Sequence, residues 1–244
     1  MKIMTFNIRI DVDVDGKNKF TNRLEAIIEF INEEKPDFIG FQEVNQNMLN
    51  SLVEKLTNYN YVGEPRSENG EYNPIFYVKK YPFIKTNTYW LSDTPNLPGS
   101  KHPDAYFPRI YTTLTVEINN QLFEIVNTHL SHISNLARKD GMKALIEYYK
   151  KISINNFILM GDFNAYPDQG VNELLTKELK SCWENYQGDM LTFHDFSDNV
   201  IGLPIDYIFT SKNILIKATT IHRSKINNKF LSDHYPVSVI IQEF

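Results

Sequence analysis

Phe157-Ile158-Leu159-Met160-Gly161-Asp162-Phe163-Asn164 is the stretch that decides how this chain is read. Four apolar residues in a row predict a strand buried on both faces. Gly161 permits a tight exit from that strand. Asp162 and Asn164 stand two apart, so on an extended backbone both face the same side. A core strand gains nothing from a carboxylate at its tip, because an unpaired buried charge is costly. Asp162 could hold a cation or an attacking water, and Asn164 could donate to a phosphate oxygen. An Asx turn closing the strand would use the same two residues.

The same pattern recurs along the chain. Asn7 follows Ile3-Met4-Thr5-Phe6, and Glu43 follows Phe38-Ile39-Gly40-Phe41-Gln42. Asn127-Thr128-His129-Leu130 ends an apolar run, where His129 could polarise a phosphoryl oxygen or simply be satisfied by backbone. Asp233-His234 precedes Pro236-Val237-Ser238-Val239-Ile240. Asp206 sits in the otherwise apolar Ile205-Asp206-Tyr207-Ile208-Phe209. A pair between Asp206 and His234 would satisfy both groups and fix the tautomer of a general base. Strands that aim carboxylate, amide and imidazole groups at one point make a hard-cation site. That chemistry predicts a metal-dependent hydrolase of phosphate esters.

Working outward, residues 2–10 read as a strand and 21–34 as a helix with Leu24, Ile27, Ile28 and Ile31 on one face. Lys35-Pro36 ends that helix, since the residue before proline is pushed out of the α region. Strand 37–42 and helix 45–57 complete a β-α-β-α opening. Strands are predicted at 74–79, 83–91, 110–118 and 121–129, the last two joined by a two-residue turn at Asn119-Asn120. Helix 134–151 and strand 156–161 follow, then a short helix near 170–178 and strands near 205–210, 214–222 and 236–242. About ten strands and four helices predict two packed sheets with helices outside. Residues 92–108 form a Pro-, Gly-, Ser- and Asp-rich loop long enough to be functional or mobile.

The chain has 244 residues, 42% of them hydrophobic, enough for a sizeable core. No linker or charge block divides it, so a single domain over 1–244 is expected. One cysteine, Cys182, excludes an internal disulfide and any multi-cysteine zinc site. Neither a signal-peptide pattern nor a membrane-length apolar run is present, and a cytoplasmic protein without membrane association is expected. The formal net charge is −5, and the lysines are scattered rather than striped. Nucleic-acid backbones are tracked by basic stripes. Small or single-stranded phosphate esters therefore outrank duplex DNA as substrates, and no obligate protein partner is evident.

Phe6-Asn7-Ile8-Arg9, Gln42-Glu43, Thr128-His129-Leu130, Gly161-Asp162-Phe163-Asn164, Asp206-Tyr207-Ile208-Phe209 and Ser232-Asp233-His234 occur in the order seen in the endonuclease/exonuclease/phosphatase superfamily, which the chain resembles from Asn7 to Pro236. The resemblance implies a DNase-I-like α/β fold, a four-layer α/β/β/α sandwich of two mixed sheets. It implies Mg2+ or Mn2+ held mainly by Glu43, with Asn7 and Asp233 nearby. It further implies that Asp162 and Asn164 contact the nucleophile and phosphate, that His129 stabilises phosphate oxygens, and that His234, oriented by Asp206, is the general base.

Other positions follow the family pattern less closely. By the resemblance, Glu71 in Gly70-Glu71-Tyr72-Asn73 could orient His129, or be a surface acid. Arg109 in Pro108-Arg109-Ile110 could reach the phosphate through bidentate bonds, or make a structural salt bridge. Thr192-Phe193-His194-Asp195-Phe196 resembles a subgroup of small bacterial members, in which Phe193 and His194 could wall the substrate pocket. A phosphodiesterase or nuclease reaction on a small or single-stranded ester is the first expectation. A sugar- or inositol-phosphate monoesterase is the alternative, and a non-catalytic binding module on the same scaffold is the third.

Overall fold

Alternate residues of the first strand sort onto two different cores. Ile3 joins Phe38 and Ile75 in one apolar cluster, whereas Met4 and Phe6 join Ile39, Phe41 and Phe76 in another. A period of two with both faces apolar means a sheet covered on both sides. The computed structural model describes residues 1–198 and 200–242. Its elements are β1 (Lys2–Asn7), α1 (Phe20–Glu34), β2 (Phe38–Gln42), α2 (Gln46–Lys55), β3 (Tyr59–Val62), β4 (Ile75–Val78), β5 (Phe83–Trp90) and β6 (Ile110–Ile118). They continue with β7 (Gln121–His129), α3 (Asn135–Lys151), β8 (Asn156–Asp162), β9 (Lys180–Ser181), β10 (Asp206–Thr210), β11 (Ile216–Ile221) and β12 (Val237–Ile241).

The strands form two six-stranded sheets, in the orders β11-β12-β1-β2-β4-β3 and β5-β6-β7-β8-β10-β9. Each is mixed. In the first only β1 and β2 run parallel, and in the second only β7 and β8 do. Helices α1 and α2 bury Ile27, Ile31, Leu49 and Leu52 against the outer face of the first sheet. Helix α3 buries Met142, Leu145 and Ile146 with residues of the second. The result is the four-layer α/β/β/α sandwich.

The predicted elements are found within a few residues of their expected ends. Strands β3 and β9 were not expected. Two of the four residues of β3 are exposed and β9 is two residues long, so neither carries an apolar alternation. The helix expected near 170–178 is a wide turn over Pro167–Val171 and a short helix over Asn172–Leu174. Asn119 and Asn120 both have positive φ, 50° and 62°, as a type I′ hairpin requires. Lys35 leaves the helical region as expected but enters the left-handed one, φ 47°. No helix among the described residues is long and apolar enough to cross a membrane.

Two glycines let the layers approach. A Cβ on Gly40 would lie 2.7 Å from the Asn127 side chain. That amide pins the sheets together: Asn127 donates to the carbonyls of Phe41 and Pro74 and accepts from Gln42. Gly161 has φ 153°, and a Cβ there would meet the Thr128 carbonyl oxygen at 2.1 Å. The strand exit at Gly161 is thus needed for β8 to lie beside β7.

Candidate active site

Sheet register alone gathers the first part of the site. His129 ends β7 directly beside Asp162 at the end of β8, and Asp162 lies opposite Asp206 at the start of β10. The two sheets then meet at their tips. The Asn7 amide at the end of β1 donates to Asp162 Oδ2 at 3.0 Å and to Glu43 Oε1 at 3.1 Å. Glu43 Oε2 accepts from the Ile10 backbone at 3.0 Å. Arg9, Glu43 and Asn164 all have positive φ (56°, 62° and 48°), a conformation uncommon for residues other than glycine.

Arg9, Ile10, Glu43, His129, Asp162 and Asn164 line a cleft of about 360 Å3, together with Arg66, Glu71, Phe107, Arg109, His132, Phe193, Asp233 and His234; Asn7 and Asp206 stand behind them. Larger hollows elsewhere, about 680 and 640 Å3, lack any comparable grouping of acid, imidazole and guanidinium.

Imidazole His234 sits between carboxylates. Its Nδ1 is 2.9 Å from Asp206 Oδ2, and its Nε2 is 3.9 Å from Asp162 Oδ2. Burial alone would lower its pKa, but Asp206, Asp162 and Asp233 outweigh that and lift it to about 10. One imidazolium balances one carboxylate, and Asp206 is the hydrogen-bonded one. Asp162 is then the surplus acid, and burial with the Asp206 charge raises it to about 7 despite the pull of His234. His234, expected as general base, and Asp162 thus stand side by side as the two groups able to exchange a proton at the cleft.

On the other side, His129 is neutral, since burial and then Arg109 hold its pKa well below the ordinary value. Asn164 donates from Nδ2 to the Leu130 carbonyl at 3.1 Å, which fixes the amide orientation. The same nitrogen faces His129 Nε2 at 2.9 Å, so Nε2 accepts and Nδ1 carries the proton. Nδ1 is buried without a partner. Glu71, expected to orient His129, pairs instead with Arg66 at 2.9 Å; a nearby guanidinium is the stronger partner for a buried carboxylate.

Phe193 walls the cleft as expected, its ring 5.0 Å from His234. His194 does not reach it. Its ring is buried, stacked 3.9 Å from Tyr235, and both ring nitrogens lack partners. Its backbone N–H bonds to the Asp233 carbonyl at 2.8 Å, so this segment props up the Asp233-His234 turn. Neighbouring residues in a strand face opposite sides, and only one of Phe193 and His194 can face the cleft. Arg109 lines the cleft and its Nη2 lies 2.9 Å from His132 Nδ1. Arg66 and His132 were missed by sequence reasoning, because each is isolated on a loop with no pattern around it. Cys182 is buried and its thiol pushed up to about 12, with no part in the site.

The cleft suits a hard cation. Glu43, Asp162 and Asp233 offer carboxylate oxygens, Asn7 donates its amide nitrogen to two of them while its Oδ1 accepts from the Arg9 backbone, and burial raises the Asp233 pKa, offset in part by His234 and Arg9. Surplus buried acid of this kind is relieved by a divalent cation. Asp162, Asp206 and His234 also offer three ligand atoms within 4.8 Å of one another. There the His234 nitrogen nearest Asp206 is already used in a hydrogen bond, and Mg2+ and Mn2+ prefer carboxylate and amide oxygens over imidazole.

Comparison with known proteins identifies the family and the fold. A sequence model described as "Endonuclease/Exonuclease/phosphatase family" matches residues 4–234. A solved endonuclease/exonuclease/phosphatase from Bacteroides vulgatus is 30% identical, covers 100% of this chain and 98% of its own, and superposes with TM-score 0.92. A mannosyl-6-phosphatase of Bacteroides thetaiotaomicron is 27% identical, with 99% of both chains covered and TM-score 0.90. An uncharacterized protein of Acanthamoeba polyphaga mimivirus is 29% identical over 99% of this chain and 100% of its own length.

Proposed function

The chain belongs to the endonuclease/exonuclease/phosphatase family and is a metal-dependent hydrolase of phosphate esters, and from that premise we propose that it is a phosphomonoesterase acting on a small polyhydroxylated substrate such as a hexose phosphate. The observation that carries this reading is the cleft itself. At about 360 Å3, walled by Phe107 and Phe193, it has the size of one small molecule. The likeness to a mannosyl-6-phosphatase supports it. The diester reaction on a small or single-stranded ester becomes the second reading. Its support is Phe193, 41% exposed at the mouth, on which a base would stack.

Glu43, Asn7 and Asp233 would hold Mg2+ or Mn2+. When bound, the cation neutralises charge on the phosphoryl oxygens. The chain's own groups do the rest. Arg109 would donate to the phosphate oxygens, with neutral His129, held by Asn164, beside it. Asp162 takes the proton of the attacking water as the oxygen–phosphorus bond forms and the ester bond breaks. His234, kept charged by Asp206, holds Asp162 in place and stabilises negative charge as it develops.

The test is phosphate release from a panel of hexose phosphates, measured beside hydrolysis of bis-(p-nitrophenyl) phosphate and a short single-stranded oligonucleotide, each with Mg2+, Mn2+ or EDTA. The monoesterase reading expects a hexose phosphate as the best substrate and no turnover in EDTA. A diester cleaved with higher kcat/KM than every monoester would overturn it.

A further inference from the structure

Arg66 has no role in the chemistry above, yet it is built into the cleft with unusual care. Its residue is 8% exposed, in a loop that would ordinarily carry arginine into solvent. Three contacts fix it. Its backbone carbonyl accepts from Trp90 Nε1 at 2.7 Å, its Nη2 donates to Glu71 at 2.9 Å, and its guanidinium lies 4.4 Å from the centre of the Phe107 ring. Phe107 also stacks on His132, whose Nδ1 faces Arg109.

Arg66 and Arg109 therefore line the cleft with Glu71 between their charges, in a site that Glu43, Asp162 and Asp233 also line. Each guanidinium uses one nitrogen on a protein partner, and none of their remaining nitrogens is buried without a partner. Those donors keep some access to solvent at residues that line the cleft. The two like charges bear on each other: burial and then Arg66 lower the pKa of Arg109. Arg66 also lies close enough for its charge to act on His129. A pair of desolvated, mutually repelling forks is stabilised by a group with more than one negative charge and several acceptor oxygens.

We propose that Arg66, together with Arg109, makes the cleft select a doubly ionised terminal phosphate, so that Arg66 determines the preference for monoesters over diesters. This rests on the phosphomonoesterase reading. A phosphomonoester is mostly dianionic at pH 7, its second pKa being about 6, whereas a diester carries one charge and has a substituent where the dianion has an acceptor oxygen. A diester leaves guanidinium donors unmatched, which is how polar sites reject analogues.

The experiment compares p-nitrophenyl phosphate with methyl p-nitrophenyl phosphate, which share a leaving group and differ in charge. Wild type, Arg66→Gln and Arg66→Lys are measured with saturating Mg2+ or Mn2+, and their melting temperatures are recorded. Wild type is expected to favour the monoester. Arg66→Gln should lower monoester kcat/KM by about tenfold or more, the scale of about 1–3 kcal/mol for a charge-assisted bond, while diester kcat/KM changes less than threefold. Arg66→Lys should recover part of the preference. Equal losses on both esters, or an unchanged ratio, would overturn the role of Arg66 and leave the monoesterase reading standing. A wild type that prefers the diester would overturn both.

Discussion

Nδ1 of His234 lies 2.9 Å from Oδ2 of Asp206, and both side chains are buried. The two residues are 28 positions apart, Asp206 at the start of β10 and His234 in the segment that leads into β12 of the other sheet, so the pair is made only when the sandwich closes. A buried charge pair of this kind acts as one unit, because removing either member strands the other.

That unity is testable by a double-mutant cycle. Asp206→Asn and His234→Asn should each lower kcat by about 10²–10⁴-fold, the range for acid–base groups. The double variant should be no slower than the worse single, since members of a unit are non-additive. Losses that multiply would mean that the two residues act independently.

Glu43 is the side chain expected to hold the cation. Glu43→Ala should lose at least about a hundredfold in turnover, comparable to removing one transition-state charge stabiliser, with the far-ultraviolet circular dichroism unchanged. Titration calorimetry should show weaker Mg2+ or Mn2+ binding than in wild type. Wild-type turnover in the variant would remove Glu43 from the site.

A cation that binds only the folded chain must stabilise it, by about 2.7 kcal/mol at a hundred times its Kd. Mn2+ or Mg2+ should raise the melting temperature of wild type, EDTA should reverse the gain, and Glu43→Ala should show a smaller one. An equal gain in the variant would place the ion elsewhere.

In the metal-free protein Asp162 and His234 each contribute stability that is lost as pH rises. Asp162 is raised from 3.8 to about 7 on folding, so between those values the folded state holds a proton that the unfolded state has released. His234, raised from 6.5 to about 10, continues the same trend to higher pH. In both cases the folded state binds more protons, and the contribution of these two groups falls with increasing pH, whereas His129 and His194, lowered on folding, act in the opposite direction below about pH 6.5. Urea midpoints of wild type and Asp162→Asn isolate the Asp162 part. The stability of Asp162→Asn relative to wild type should rise between pH 4 and 7; a constant difference would reject the assignment.

The two glycines should differ in cost. Gly40→Ala meets the side chains of Asn127 and Met160, which have some freedom to move, and should cost about 1–3 kcal/mol as overpacking does. Gly161→Ala meets the Thr128 backbone at a positive φ and should exceed about 4 kcal/mol, the exceptional range for one substitution. Chemical denaturation ranks them, and the reverse order would reject the packing argument.

The sequence by itself determined the strands, the helices and the polar groups at the strand tips. Apolar periodicity is a local property, and Asn7, Glu43, His129, Asp162 and Asp206 each stand at the end of a run that announces them. Short edge strands such as β9 carry too few residues to show a period. Partner choice was decided only by the tertiary structure. Glu71 pairs with Arg66 rather than His129, His194 turns into the core while Phe193 faces the cleft, and Asp206, Asp162 and Asp233 gather around His234 and raise its pKa. The physical reason is that strand alternation fixes the face on which a side chain lies. Burial, charge and hydrogen-bond geometry between distant segments fix which group it meets, and those are set only when the two sheets pack.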